Sequence, residues 1–115
     1  MDPVRVVAEN KLAYGVTDAY PVTQGHALVI PKRHVADYFG LTEEELIACR
    51  RLILSLKSSI DESPDVEGFN IGANAGLAAG QTIFHCHFHL IPRRQGDVEE
   101  PKGGVRNAIP GMSLY

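Results

Sequence analysis

Three histidines alternate with other residues in one short stretch of the chain. His85, His87 and His89 are three of the five histidines, and they fall within five consecutive positions. Successive side chains of a β-strand point to opposite faces, so this spacing predicts three imidazoles on one face of a strand. The other face is expected to be the core side, and its members are Phe84, Cys86, Phe88 and Leu90. Three unpaired imidazoles would be costly to bury, so the histidine face is expected to line a cleft or the surface.

Three interpretations of this histidine face are open. It could be a solvated surface, a metal site of three imidazoles, or a phosphate site in which one histidine is the nucleophile. A metal site is expected to include carboxylates that orient the imidazoles, but no Asp or Glu occurs between Phe69 and Arg94. The same stretch contains Gly72, Gly76 and Gly80, through which backbone N–H groups can approach an anion, and the last glycine is followed by Gln81 and Thr82. This composition favours the phosphate site.

Several strands are predicted to support this site. Residues 4–8 and 12–16 are apolar runs around a turn-like cluster and predict a β-hairpin. Residues 27–30 predict a short buried strand, which brings His26 to its entrance. Residues 69–74 and 81–92 predict two further strands, joined by a flexible loop of small residues at 75–80.

One long helix is predicted between the third and fourth strands. Thr42 is a good N-cap and Glu45 follows three residues later, which is the pattern of a capping box. The sequence 63–64, Ser-Pro, is expected to end the helix. The apolar stripe of this helix consists of Leu46, Cys49, Ile53, Leu56 and Ile60, widened by Ile47 and Leu54. Because the stripe is broad, one of its edges is expected to meet a partner chain.

The length and composition of the chain exclude several classes of function. A chain of 115 residues is expected to form a single domain, residues 1–115, with residues 96–115 as an extended C-terminal tail. A net charge of −3 does not favour binding to nucleic acid, and no apolar run is long enough to span a membrane. The two cysteines lack metal-site spacing and are expected to be reduced thiols of a cytoplasmic protein.

The chain resembles the histidine-triad (HIT) family of nucleotide hydrolases and transferases. Residues 85–91 match its motif, in which three histidines alternate with apolar residues, and residues 21–32 and 79–82 resemble its upstream segment and its phosphate loop. The resemblance implies an α+β fold: an antiparallel sheet of about five strands with one long helix, at residues 42–63, packed on it. It also implies a homodimer.

The resemblance also implies roles for individual residues. His87 would attack the α-phosphate of a nucleotide and form a nucleotidyl-histidine, which water would then hydrolyse. His89 would hydrogen-bond the phosphate or the leaving group, and His85 would support the site. His26 is expected either to take part directly or to be a buried, satisfied histidine. The substrate-binding positions implied by the family are Asp18 at the ribose, with a turn residue as the alternative for Asp18, and Asn74, Gly80, Gln81 and Thr82 at the phosphate.

The substrate is expected to be a nucleotide. Residues 91–97 and 103–106 resemble the branch that acts on dinucleoside polyphosphates, while a phosphoramidate hydrolase and a nucleotide-binding module with little catalysis are the alternatives. No cofactor is expected, although a divalent cation could accompany a polyphosphate substrate. Many members of the family begin with an additional helix that helps to wall the base pocket, and this helix is not expected here. The residues expected at the base pocket are Val16, Ala19 and Leu28. A surface position is expected for His34. Solvated positions are also expected for four basic residues, with contacts to distal phosphates as the alternative: Arg93, Arg94, Lys102 and Arg106.

Overall fold

A computed structural model describes residues 5–111 of the protein. Five antiparallel strands form one sheet in the order β1-β2-β3-β5-β4, and one long helix, α1, packs on one face of it. The bounds are β1 Val6–Glu9, β2 Ala13–Thr17, β3 Ala27–Pro31, α1 Glu43–Ile60, β4 Gly68–Gly72 and β5 Phe88–Arg93. The predicted α+β class, with about five strands and one long helix, is confirmed.

The predicted hairpin is formed by β1 and β2, and residue 4 of the prediction lies outside the described residues. Asn10 shapes the turn, because its Oδ1 accepts hydrogen bonds from the backbone N–H groups of Leu12 and Ala13. Its Nδ2 donates to the carbonyl of Ala48, 2.9 Å away on α1. One side chain therefore fixes the turn and ties the hairpin to the helix.

Helix α1 begins with the predicted capping box. The backbone N–H of Glu45 donates to Thr42 Oγ1, and the N–H of Thr42 donates to a carboxylate oxygen of Glu45. The helix ends at Ile60, earlier than residue 63, with Asp61 as its C-cap. The buried stripe also differs from the prediction, since Leu46 is 37% exposed whereas Ala48 and Leu52 are buried. The face of α1 that packs on the sheet is therefore rotated slightly from the apolar stripe that the sequence predicts.

The hydrophobic core lies between α1 and the sheet. Its cluster includes Val29, Leu52, Leu56, Phe88 and Leu90. The two cysteines, Cys49 and Cys86, are buried in the same cluster as free thiols. Because α1 covers only one face of the sheet, the opposite face is available for a site.

The C-terminal tail is not extended throughout. Residues 104–108 form a 3₁₀ turn, Gly104–Ala108, within the described part of the tail. Asp97 anchors the start of the tail, since its carboxylate accepts hydrogen bonds from the Arg93 side chain and the Arg94 backbone. No helix among residues 5–111 is long and apolar enough to cross a membrane.

Candidate active site

The segment that carries the first two histidines is not part of the sheet. The predicted strand 81–92 is wrong in its first half, because β5 begins only at Phe88. Residues 81–86 instead bond to carbonyls of residues 31–36, which are the end of β3 and the segment that follows it. His85 Nε2 donates to the Pro31 carbonyl over 2.8 Å, and the Cys86 N–H donates to the Val35 carbonyl over 2.7 Å. These bonds replace the strand ladder that the alternating pattern predicts.

The predicted alternation of faces holds only from Cys86 onward. Cys86, Phe88 and Leu90 are buried, as expected for the core side. Phe84 is 48% exposed, so its predicted place in the core is wrong. All three histidines of the motif are half-buried, which agrees with a cleft rather than a fully solvated surface.

His89 lies in the middle of a row that crosses four strands. Leu28 on β3 pairs with both Val16 on β2 and His89 on β5, and Gly72 on β4 pairs with His89. Directly paired residues share a face, and the next residues along β3 and β5, Val29 and Leu90, belong to the core under α1, so this row lies on the opposite face. Of the expected base-pocket residues, Val16 is buried, Leu28 is half-buried and Ala19 is exposed. The row places an apolar floor beside the histidines.

One backbone carbonyl sets the protonation of His87. The Nδ1 atom of His87 lies 2.9 Å from the carbonyl oxygen of His85. A carbonyl can only accept, so Nδ1 carries the proton and donates it to this bond. The Nε2 atom of neutral His87 therefore keeps its lone pair, which is the state that a nucleophilic imidazole requires.

A second set of hydrogen bonds orients His26 and His89. The backbone N–H of Val22 donates to His26 Nδ1 over 3.2 Å, so neutral His26 carries its proton on Nε2. His26 Nε2 lies 2.9 Å from His89 Nδ1 and donates to it. His89 consequently carries its own proton on Nε2. Burial, and then the proximity of His87 and His26, lower the pKa of His89, which favours its neutral form.

Asp18 takes part in both a turn and the histidine cluster. Its Oδ1 accepts a hydrogen bond from the Tyr20 N–H over 2.8 Å, as a turn aspartate does. Its Oδ2 lies 3.3 Å from His26 Nε2. The sequence-based alternatives for Asp18 are therefore not exclusive, because one oxygen holds the turn while the other faces the buried imidazole.

The loop 75–82 contains two glycines in a conformation that other residues rarely adopt. Gly76 and Gly80 have φ angles of +95° and +93°. The N–H of Gly80 donates to the Leu77 carbonyl over 3.0 Å, so this predicted phosphate donor is used inside the loop in this structure. Thr82, the last residue of the loop, and Asn74, which directly precedes the loop, are both exposed.

Gln81 has a different place from the predicted one. Its residue is only 2% exposed, and its side-chain amide bonds to three backbone groups. Nε2 donates to the carbonyls of Ala36 and Ile83, and Oε1 accepts from the Gly76 N–H. The prediction that Gln81 contacts substrate is therefore corrected: its amide is committed to the loop.

Among residues 5–111, the three histidines of the motif do not together bring their ligand atoms within 4.8 Å of one another. The side chains that do so are Asp18, His26 and His89. This cluster includes a carboxylate that sequence reasoning placed at the ribose. The Val22 N–H bond to His26 Nδ1 disfavours a metal there, because neutral His26 then carries a proton on the nitrogen that would be the ligand.

The remaining histidine, His34, and the two arginines at the end of β5 each have a partner in the structure. His34 is exposed, as predicted, yet its ring centre is 5.0 Å from that of His85. The Arg93 side chain is paired with Asp97 and the Arg94 side chain with Asp65. Sequence reasoning missed the parts played by the Val22 N–H and by the carbonyls of residues 31–36, since main-chain groups leave no residue-type signal.

The sequence and the fold are both similar to those of known proteins. The profile of one family, described as HIT domain, matches residues 2–96. A crystal structure of a HIT family protein from Bacillus anthracis superposes with a TM-score of 0.76 at 39% identity, over 81% of this chain and 66% of that chain. This similarity supports the same antiparallel sheet and helix.

Two curated relatives show similar identity over most of this chain. An uncharacterized 16.1 kDa HIT-like protein of Mycoplasma pneumoniae is 38% identical over 76% of this chain and 60% of its own length. An AP-4-A phosphorylase of Mycobacterium tuberculosis is 36% identical over 80% of this chain and 48% of its own length. The chain thus spans about half to three-fifths of the length of these relatives.

Proposed function

Since the chain belongs to the HIT family, we propose that it is a nucleotide hydrolase that cleaves at an α-phosphate through a nucleotidyl-histidine on His87. The observation that carries this proposal is the hydrogen bond from His87 Nδ1 to the His85 carbonyl. It leaves the Nε2 lone pair available to attack phosphorus without any prior loss of a proton. The similarity to an AP-4-A phosphorylase supports a nucleotide as the substrate.

The proposed reaction has two displacements at phosphorus. In the first, a bond forms between His87 Nε2 and the α-phosphorus, and the leaving group departs with the electron pair of its bond. The Nε2–H of His89, whose orientation His26 sets, is the donor for the phosphate or the leaving group. In the second, water adds to phosphorus, the electron pair of the P–N bond returns to Nε2, and a nucleoside monophosphate and one proton are released.

We propose that the rest of the nucleotide is bound around this row of the sheet. Asp18 would accept hydrogen bonds from the ribose, with the base near Leu28. Thr82 and Asn74, both exposed beside the loop 75–82, would donate to the phosphate. An acidic chain, with a net charge of −3, would bind phosphate through such local donors rather than through its overall field.

For the leaving group, we propose a nucleoside polyphosphate released from a dinucleoside polyphosphate. One observation favours the second candidate, a nucleoside phosphoramidate. The guanidinium groups of Arg93 and Arg94 are bound to Asp97 and Asp65, and so they are already neutralised in place. The leaving group of a phosphoramidate does not carry the negative charge of additional phosphates, so it does not require these two arginines. A nucleotide-binding module with little catalysis is the third candidate.

The chemistry is proposed to need no bound metal cofactor, with a divalent cation only accompanying a polyphosphate substrate.

We further propose that a homodimer forms along β4. This strand is one edge of the sheet, and Ile71 on it is 51% exposed, so pairing with the same strand of a second copy would continue the sheet. Two free buried thiols fit a reducing compartment, and a cytoplasmic location is part of the proposal.

The decisive experiment is a substrate panel with product identification. Diadenosine polyphosphates, an adenosine phosphoramidate and an adenylylated acid are each incubated with the protein. The small-molecule products and the peptides of the protein are then identified by mass spectrometry. We expect AMP as a product, and an adenylylated peptide containing residues 85–89 in rapidly quenched samples. The His87→Ala variant should lose turnover at least ~1000-fold while still binding AMP. Full activity of this variant would refute the mechanism.

A further inference from the structure

Gln81 joins the two ends of the loop 76–82. The side-chain Oε1 of Gln81 accepts a hydrogen bond from the Gly76 N–H over 2.8 Å, and the backbone N–H of Gln81 donates to the Gly76 carbonyl over 3.1 Å. This reciprocal pair closes the turn that contains Leu77 and Gly80. The side chain is almost completely buried even though the neighbouring loop residues from 77 to 80 are exposed. The loop is therefore held from the inside by one amide.

The same amide attaches the loop to the segment that follows β3. Gln81 Nε2 donates to the Ala36 carbonyl over 2.6 Å and to the Ile83 carbonyl over 3.1 Å. The same segment supplies the Val35 carbonyl to Cys86, and Pro31, the last residue of β3, supplies its carbonyl to His85. The loop and the histidine segment are consequently fixed to one short stretch of backbone.

A side chain at this position needs two donors and one acceptor at about the reach of glutamine. A glutamate would place an acceptor against the Ala36 and Ile83 carbonyls, and a methionine would offer no donor and only a weakly accepting sulfur. A buried N–H or carbonyl that loses its partner costs substantial free energy, so the loop would move to find other partners. Such a movement would carry Thr82, the residue next to Gln81, away from its place relative to His87.

We propose that Gln81 is a positioning residue that holds the loop 76–82, with Thr82, at the distance from His87 that binding of the α-phosphate requires. This role rests on the proposed function, because it assumes that the loop binds phosphate. Gln81 itself does not touch the substrate. It acts through the Gly76 N–H at one end of the loop and through Ala36 at the other, so its effect should be confined to ligands that carry a phosphate.

The test compares the affinities of adenosine and AMP, measured by calorimetry, for the wild-type protein and the Gln81→Met variant. The dissociation constant of adenosine divided by that of AMP measures how much the phosphate contributes to affinity. We expect this ratio to fall about tenfold in Gln81→Met, with adenosine affinity unchanged. Gln95→Met, the same substitution at an exposed glutamine, should keep the wild-type ratio. A general loss of structure would weaken both ligands together.

The outcomes separate this proposal from the function on which it rests. If wild-type protein binds AMP no better than adenosine, the proposed function and the role of Gln81 both fail. If the wild type prefers AMP and Gln81→Met keeps that preference, only the role of Gln81 is overturned. Amide hydrogen exchange supplies a second measurement that needs no ligand. Gln81→Met should accelerate exchange at Gly76 relative to the wild type, because the Gly76 N–H loses its acceptor, whereas Gln95→Met should leave it unchanged. Wild-type exchange at Gly76 in Gln81→Met would also overturn the role.

Discussion

His26 and His89 share a hydrogen bond whose direction is set by a backbone amide outside the pair. Nε2 of His26 lies 2.9 Å from Nδ1 of His89, and the Val22 N–H donates to the opposite nitrogen of His26. The proton between the rings therefore belongs to His26, and His89 holds its own proton on Nε2. Two histidines 63 positions apart thus act as one oriented unit.

Replacement of His26 should remove this orientation. In His26→Ala, His89 is free to take either tautomer, so we expect turnover to fall about 100-fold with little change in AMP affinity. The ¹⁵N chemical shifts of His89 report the tautomer directly, and they should change from a single Nε2–H form to a mixture. An unchanged His89 tautomer in this variant would contradict the assignment.

Glu45 should make stability depend on pH in the acidic range. Hydrogen bonds from Arg33, followed by the Thr42 N–H, lower the pKa of the Glu45 carboxyl from 4.5 to about 2. A lowered pKa in the folded state gives stability that is present above pH 4.5 and is lost as the pH falls towards 2. Glu45→Gln should cost about 1–3 kcal/mol at pH 7.

Urea unfolding at several pH values measures this effect. The difference in unfolding free energy between wild type and Glu45→Gln should shrink between pH 4.5 and pH 2 and then disappear. Glu43→Gln is the matched control, since Glu43 is an exposed glutamate of the same first helical turn. A pH-independent difference for Glu45→Gln would show that its contribution does not depend on ionisation.

Neither thiol should react in the native protein at mildly alkaline pH. Burial, as the largest cause, raises the pKa of Cys49 to about 12 and that of Cys86 to about 11. Only the thiolate is nucleophilic, so labelling by a disulfide reagent at pH 8 should be at least ~100-fold slower in native than in unfolded protein. Titration with and without denaturant measures both rates. Rapid labelling of Cys86 would mean that the histidine segment opens readily.

A charge on β4 should prevent formation of the proposed dimer. Ile71→Glu places a carboxylate on the edge strand where a second copy would pair, so we expect a monomer by light scattering at micromolar concentration. Val7→Glu is a close control, because Val7 is 54% exposed on β1, the opposite edge of the sheet. That variant should keep the wild-type mass. A dimer that survives Ile71→Glu would exclude β4 as the contact.

Local patterns were sufficient where the interacting groups are near in sequence. The capping box joins Thr42 and Glu45, which are three positions apart, and the hairpin of β1 and β2 depends on one turn, so both predictions are confirmed. The strand predicted at 81–92 was half wrong because alternation of side chains also occurs in non-strand backbone. There, the partners of residues 81–86 are the carbonyls of residues 31–36, which composition does not reveal.

The sequence by itself determined the family, the fold class and the three histidines of the motif, because these depend on residue identity and spacing. Only the tertiary structure decided which nitrogen of each imidazole carries the proton, since backbone groups of Val22, Pro31 and His85 make that choice. It also decided that Gln81 points into the loop rather than towards a ligand. Hydrogen-bond direction depends on where distant main-chain atoms come together, and folding alone brings them into contact.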